Sequence, residues 1–246
     1  MDLQLAGRTA LVTGASMGIG RGIAAALCRE GVKLAVVARR RELLERLQDE
    51  LKAALVIIEI DFLENDSPEK ISDAALRGLG SVEILVNNAG GSRRFTLEST
   101  EAQWDEAMTL NFTRHRQLTQ RLLPQMITRK WGRIINITGK SEPEGINGAF
   151  SAKAALHSWA KGLSREVGKH GITVNSIPPG RIISEQILRN YSPEFRKKES
   201  EEDIPVGEYG RPEDIASLVC YLASPLARYI TGAVIPVDGG LRRYQF

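Results

Sequence analysis

The sequence predicts an α/β fold: a single doubly wound domain over residues 1–246, with a parallel sheet of about seven strands and helices on both faces. Three observations predict it. Apolar, strand-like runs alternate with helix-like stretches from end to end, the arrangement that yields a parallel sheet covered on both sides. The first such unit joins its strand to its helix through Gly14, Gly18 and Gly20. No linker, repeat or low-complexity segment divides the chain, and 42% hydrophobic residues supply ample material for one core.

Thr9–Thr13 is the first strand, and the helix-forming run Ile23-Ala24-Ala25-Ala26-Leu27 follows the glycines. Gly31 reads as the C-cap of that helix and Lys33–Ala38 as the second strand. A helix over 42–51 and a strongly apolar third strand over 55–60 come next. Ser67 reads as a helix cap with Pro68 in the first turn. A fourth strand over 82–86 runs into Asn87-Asn88-Ala89-Gly90-Gly91. Thr100 and Gln103 match a capping box and open one long helix reaching about Met126. Strands over 132–138 and Ile172–Ile177 flank a helix over 148–169 that Gly171 closes. Residues 178–210 are polar, charged and punctuated by proline, long for a plain connection, and 183–210 reads as a substrate lid. Arg211-Pro212-Glu213-Asp214 starts a last helix, and 233–237 is the last strand.

Composition narrows the function classes. The balance of 33 basic and 30 acidic residues is too even for a polyanionic partner. Trp104, Trp131 and Trp159 are too scattered to stack bases, so no nucleic-acid partner is expected. Cys28 and Cys220 lie in helix-like apolar surroundings and read as core thiols in a reducing compartment. No Cys/His spacing suggests a metal. The start of the chain lacks a basic-then-apolar leader, and no apolar run approaches membrane-spanning length. The expectation is a cytoplasmic protein with no membrane partner.

The chemistry begins at the glycine turn. Strand, glycine turn and helix together aim free backbone N–H groups and a positive helix end at a phosphate. Gly14 and Gly18 let the backbone touch the ligand, and Gly20 lets helix and strand pack closely. Just past the second strand, where an acid would pair with ribose hydroxyls, stand Arg39, Arg40 and Arg41. A guanidinium meets a 2′-phosphate with two parallel hydrogen bonds, whereas an acid repels it. This predicts NADP(H) in preference to NAD(H). The alternative, a basic first turn of the helix over 42–51, sets cations against the helix dipole.

Thr13-Gly14-Ala15-Ser16-Met17-Gly18-Ile19-Gly20, Asn87-Asn88-Ala89-Gly90, Asn111, Lys153, Pro179-Gly180 and Val237-Asp238-Gly239-Gly240 together resemble the classical short-chain dehydrogenase/reductase family. The likeness extends over essentially the whole chain and points towards its 3-oxoacyl-ACP reductase-like members. It implies a Rossmann domain and hydride transfer between nicotinamide and a small carbonyl or alcohol substrate. Gly14, Ser16, Met17, Gly18, Ile19 and Gly20 would then line the pyrophosphate, and Arg39 with Arg40 the 2′-phosphate. Asp61 and Phe62 would flank the adenine, and Asn88, Ala89 and Gly90 the adenosine side and middle of the coenzyme. Pro179, Gly180, Ile182 and Ser184 would hold the nicotinamide end. Lys153 would bind the nicotinamide ribose, Asn111 anchor a water chain and Thr138 contact the substrate oxygen. The family usually forms homotetramers or homodimers through two long helices.

The family's proton donor is a tyrosine one helical turn before the lysine, its phenol pKa lowered by the ammonium charge. Here the segment reads Ala149-Phe150-Ser151-Ala152-Lys153, and Phe150 is taken as the tyrosine position. Phe150 has no proton to give. The family's serine aligns with Thr138 or with Gly139, in which case Ser141 is the nearest substitute. Three readings stay open: a working reductase, a catalytically silent coenzyme-binding homologue acting as sensor or oligomer partner, and a tyrosine replaced by design. The first draws its proton from Lys140, Ser141, Tyr191 or a water held by Asn111 and Lys153. The cluster Lys140-Ser141-Glu142 points towards altered chemistry and reads at least as well as a solvated loop. His115 and His157, one turn beyond Asn111 and Lys153, share faces with site residues but are equally compatible with helix contacts. His170 reads as a helix C-terminus.

Overall fold

Parallel strands rich in Val, Ile and Leu must be covered on both faces, and the chain covers them with helices on each side. The structure, a computed structural model, describes residues 1–139 and 145–243. Its strands are β1 (Thr9–Thr13), β2 (Lys33–Ala38), β3 (Val56–Glu59), β4 (Ile84–Asn87), β5 (Gly132–Ile137) and β6 (Ile172–Ile177). They form a six-stranded sheet in the order β3-β2-β1-β4-β5-β6, parallel throughout. The helices are α1 (Gly18–Arg29), α2 (Arg41–Leu51), α3 (Ser67–Leu79), α4 (Glu101–Met108), α5 (Arg114–Arg129), α6 (Gly148–Val167), α7 (Glu185–Asn190), α8 (Pro193–Asp203) and α9 (Pro212–Ala223).

Strand alternation splits the interior into two cores. Ala10, Val12, Val36 and Val86 face the side where α1 and α9 pack together, and Leu11, Ala35, Val37 and Leu85 face α3 and α5. Cys28 and Cys220 belong to the first core, on α1 and α9. Among the described residues no helix is long and apolar enough to cross a membrane.

Three expectations change. The seventh strand is an extended segment beside β6, joined by isolated parallel bridges Ser176–Val234 and Pro179–Val237. Ser176 N donates to Ala233 O and Ile235 N to Ser176 O. The next rung needs an N–H at residue 178, and proline has none, so the ladder breaks there. The long helix opened by the Thr100–Gln103 capping box is interrupted by a π-helical segment, Thr109–Thr113, between α4 and α5. At α3 the cap position is Asp66, not Ser67, whose hydroxyl instead donates to Phe62 O at 2.9 Å.

Residues 183–210 carry α7 and α8, capped by Ser184 and Ser192. Arg181 Nε donates to Glu199 Oε1 at 2.9 Å, and Tyr209 Oη donates to Glu199 Oε2. The Arg181 guanidinium also lies 5.4 Å from the centre of the Tyr191 ring, which stacks on Phe195. One buried carboxylate thus latches α8 to the segment that follows β6.

Candidate active site

The strand order reverses at β1, which pairs with β2 on one side and β4 on the other. In such sheets ligands settle in the crevice outside the carboxyl ends of the strands at this point. The Thr13 hydroxyl ties the two strand ends together: it accepts from Asn88 N at 2.9 Å and Ala89 N at 3.0 Å. The Asn88 amide donates back to Thr13 O at 2.9 Å and Gly14 O at 3.1 Å.

Above this seam lies a cleft of about 1050 Å³. Its floor at the start of α1 is Gly14, Ser16, Met17, Gly18, Ile19 and Gly20. Among the described residues no side chain caps α1, and its first turn holds no acid. The positive helix end therefore faces the cleft with no anionic side chain of its own to answer it. A Cβ on Gly20 would stand 2.2 Å from Gly14 O, so only glycine allows the turn to fold against the helix. Gly14, at φ +67°, adopts the left-handed conformation that the turn requires. These features fit a diphosphate.

Arg39 and Arg40 line the cleft where β2 ends, beside Asp61 and Phe62 after β3. Arg39 Nη1 lies 3.9 Å from Asp61 Oδ2, and Arg40 Nη2 donates to Met17 Sδ at 2.7 Å. Asn88, Ala89, Gly90 and Ser184 also line it.

Asn111 and Lys153 lie directly behind Gly90. A Cβ on that glycine would stand 2.8 Å from Asn111 Oδ1 and 3.4 Å from Lys153 Nζ. Asn111 sits in the π-helical turn, where its Nδ2 donates to Ala107 O at 2.9 Å and Gly91 O at 3.0 Å while Oδ1 accepts from Gly91 N. Lys153 Nζ donates to Ile137 O at 2.9 Å, and burial lowers the amine pKa to about 7. Among the described residues, that carbonyl is the hydrogen-bond partner that favours the ammonium's charge.

Several expected residues fall elsewhere. Ala149, four residues before Lys153, lines the cleft; Phe150, three before it, does not. Phe150 instead stands beside Gly139, where a Cβ would lie 3.9 Å from its Cδ1 and 3.7 Å from Lys153 Cγ. On a helix of 3.6 residues per turn these two positions point about 100° apart, so the methyl of Ala149 takes the cleft-facing place. Thr138 is buried below the cleft, and its hydroxyl shares a 2.7 Å hydrogen bond with His157 Nε2. The Ile182 side chain packs into the core on the α1 side rather than into the cleft. Pro179 and Gly180 bridge to Val237 outside the cleft lining, and a Cβ on Gly180 would collide with Asp238. Tyr191 is held in the lid. Lys140, Ser141 and Glu142 lie outside the described residues.

The histidines carry more than helix contacts. His115 Nε2 meets Ala89 O at 2.7 Å and its ring lies 5.0 Å from that of Phe62, so it buttresses two cleft residues from behind. Burial, with the charge of Lys153, holds its pKa well below 6.5. His157 is pushed down too, by burial first and then by Lys153 and Arg242. The signal was the four-residue spacing from Asn111 and Lys153, which cannot tell a helix contact from a site contact.

A family model described as Enoyl-(Acyl carrier protein) reductase matches residues 14–242. The chain is 33% identical over 249 residues to 3-oxoacyl-[acyl-carrier-protein] reductase FabG of Aquifex aeolicus, covering 98% of this chain and 100% of that protein. It is 36% identical over 242 residues to FabG of Staphylococcus epidermidis, covering 95% and 98%. Among solved structures, a 7α-hydroxysteroid dehydrogenase complexed with NADH and 7-oxo glycochenodeoxycholic acid superposes with a TM-score of 0.92 at 30% identity, covering 97% of this chain and 96% of that one. The Pseudomonas aeruginosa RhlG/NADP complex gives 0.88 at 34%, covering 97% and 98%.

Proposed function

Because the chain belongs to the short-chain dehydrogenase/reductase family, we propose that it is an NADP(H)-dependent oxidoreductase working between a carbonyl and an alcohol. The observation that carries this reading is the uncapped start of α1 beside Arg39 and Arg40, a place for a diphosphate next to a place for a 2′-phosphate. The bound coenzyme supplies or accepts the hydride. Lys153, behind Gly90, orders the nicotinamide ribose and holds a proton at Nζ near neutrality. Asn111 fixes the Gly91 backbone and with it the cleft wall. A 3-oxoacyl compound or small ketone suits the wall formed by Phe95, Ala107, Leu110 and Ala149. The protein works in the cytoplasm as a homotetramer or homodimer.

A second reading, a silent coenzyme-binding homologue, is favoured by Ala149 and Gly139, which bring no hydroxyl to the site. Loss of a positioned acid costs roughly 10² to 10⁴ in rate. NADPH oxidation against aldehydes, ketones and 3-oxoacyl thioesters separates the two, run on the native chain and on Ala149→Tyr and Phe150→Tyr. Turnover by the native chain supports the enzyme. Turnover by a tyrosine variant alone makes the native protein silent.

A further inference from the structure

We propose that Arg93 and Arg189 select a substrate that carries a carboxylate in addition to its carbonyl group; the proposal rests on the oxidoreductase reading above. Among the described residues, Arg39, Arg40, Arg93 and Arg189 are the arginines that line the cleft. Arg39 and Arg40 stand beside Asp61 and Met17, where the coenzyme reading uses them. Arg93 and Arg189 have no part in that reading. Arg93 is held in place from several sides. The loop that carries it meets α4 and the first turn of α6 at Gly148, where a Cβ would stand 2.6 Å from Phe95 Cζ and 2.7 Å from Ala107 Cβ. The next residue is Ala149, which joins Phe95, Ala107 and Leu110 in the apolar wall of the cleft. Phe95 sets its ring edge-on to Trp104 at 4.8 Å, and Asn147 Nδ2 donates to Ser92 Oγ at 2.9 Å and Arg93 O at 3.2 Å. Arg93 Nη2 lies 2.6 Å from Glu106 Oε1. Backbone and head group are therefore both tied to the wall.

Glu106 orients Arg93 and offsets its charge, and Arg189 makes this rim cationic again. Among the described residues Arg189 has no hydrogen-bond or ion-pair partner. It lies on α7, one turn beyond Glu185, whose Oε2 would stand 3.9 Å from a Cβ on Gly18. The helix thus starts over the glycine turn and carries Arg189 about 6 Å farther along its axis. A guanidinium offers five N–H donors in a planar fork, so Arg93 keeps donors beyond the one that Glu106 engages. Such a fork suits a carboxylate, and a low-dielectric wall beside it strengthens the attraction. An oxo acid matches the sequence of surfaces: a carbonyl towards Gly90, an apolar stem along Phe95 and Leu110, and a carboxylate at the arginines.

The test offers 4-oxopentanoate and 6-oxoheptanoate, each beside its methyl ester, to the native protein and to Arg93→Met with Arg189→Met. With NADPH the native protein should favour the acid in kcat/KM by about 10- to 100-fold, through KM rather than kcat. Added salt should shrink that preference, because the arginines are exposed. The double variant should use acid and ester alike. Thermal shift of the protein saturated with NADP(H) gives a readout that needs no turnover, and there the acid should stabilise the native protein more than the ester does. Equal stabilisation by acid and ester overturns the carboxylate site and leaves the oxidoreductase reading standing, as does a preference for the acid that survives in the double variant. A loss of NADPH affinity in the variant that matches its loss of acid turnover assigns the arginines to the coenzyme and overturns the site as well. Selective stabilisation by the acid without turnover overturns the oxidoreductase reading and supports the site.

Discussion

At the scale of single residues, two buried bases carry the consequences. Lys153 keeps its amine pKa at about 7 in the fold, against 10.5 in a free chain. Between those values the unfolded chain binds more protons, so this residue makes the protein gain stability as pH rises from about 7 towards 10.5. Lys153→Met should therefore stabilise the protein at pH 7 by a few kcal/mol, at most, and flatten that slope in chemical denaturation, while reducing turnover. His115, held well below 6.5, acts in the same sense over a lower range, costing stability as pH falls below 6.5. His115→Gln should reduce that acid sensitivity. Gly20→Ala sets the opposite kind of test: its Cβ would meet Gly14 O at 2.2 Å and Asn88 Nδ2 at 2.4 Å. A loss of about 1–3 kcal/mol, read from the denaturant midpoint, is expected. The glycines and the lysine were legible because their roles depend on backbone shape and charge, which residue type alone decides. The step from Phe150 to Ala149 was not, since one residue of helix phase separates a cleft lining from a side-wall contact.

Among elements, the interruption at Thr109–Thr113 and the latch on α8 have the largest leverage. A π turn carries no sequence period of its own, so the amphipathic stretch from Thr100 read as one continuous helix. Its function is positional, because the extra residue turns Asn111 to where its amide and carbonyl both reach Gly91. Asn111→Ala leaves the Gly91 N–H and C=O without those partners and should loosen the wall in front of Lys153. The lid's helices were hidden by short length and high charge, and their caps, Ser184 and Ser192, emerge from the structure. Glu199 is 10% exposed in its side chain and serves both Arg181 and Tyr209. Glu199→Gln keeps the shape and removes the charge, which should weaken the latch by about 1–3 kcal/mol. Faster amide exchange confined to α8 and the segment around Tyr209, with β1 to β6 unchanged, is the expected record. Uniform protection across α8 in the variant would assign its stability to packing instead.

Over the whole molecule, sheet order decides where chemistry can sit. The alternation of strands and helices foretold a parallel sheet, and the handedness of parallel crossovers leaves few orders open. The observed order places β1 and β4 side by side, so the glycine turn and the Asn88–Gly90 loop meet above one seam. Arg39 and Arg40 then line the cleft where the proposed reading puts the adenosine, with Asp61 across from Arg39 at 3.9 Å. On the proposed reading, a 2′-phosphate there would compete with Asp61 for the Arg39 guanidinium and would meet an Arg40 whose partner among the described residues is the Met17 sulfur. Each charged hydrogen bond lost should cost about 1.5–3 kcal/mol, or roughly 10- to 100-fold in NADPH affinity. The double variant Arg39→Ser with Arg40→Ser should therefore bind NADPH more weakly by at least that factor while its NADH affinity stays near the native value. Raising salt should erode the native preference and leave that of the variant flat, because screening acts on exposed charges. Titrations of both coenzymes at two ionic strengths settle the matter. A native protein that favours NADH would assign these arginines to the Asp61 and Met17 contacts, with adenine rather than phosphate as what they face.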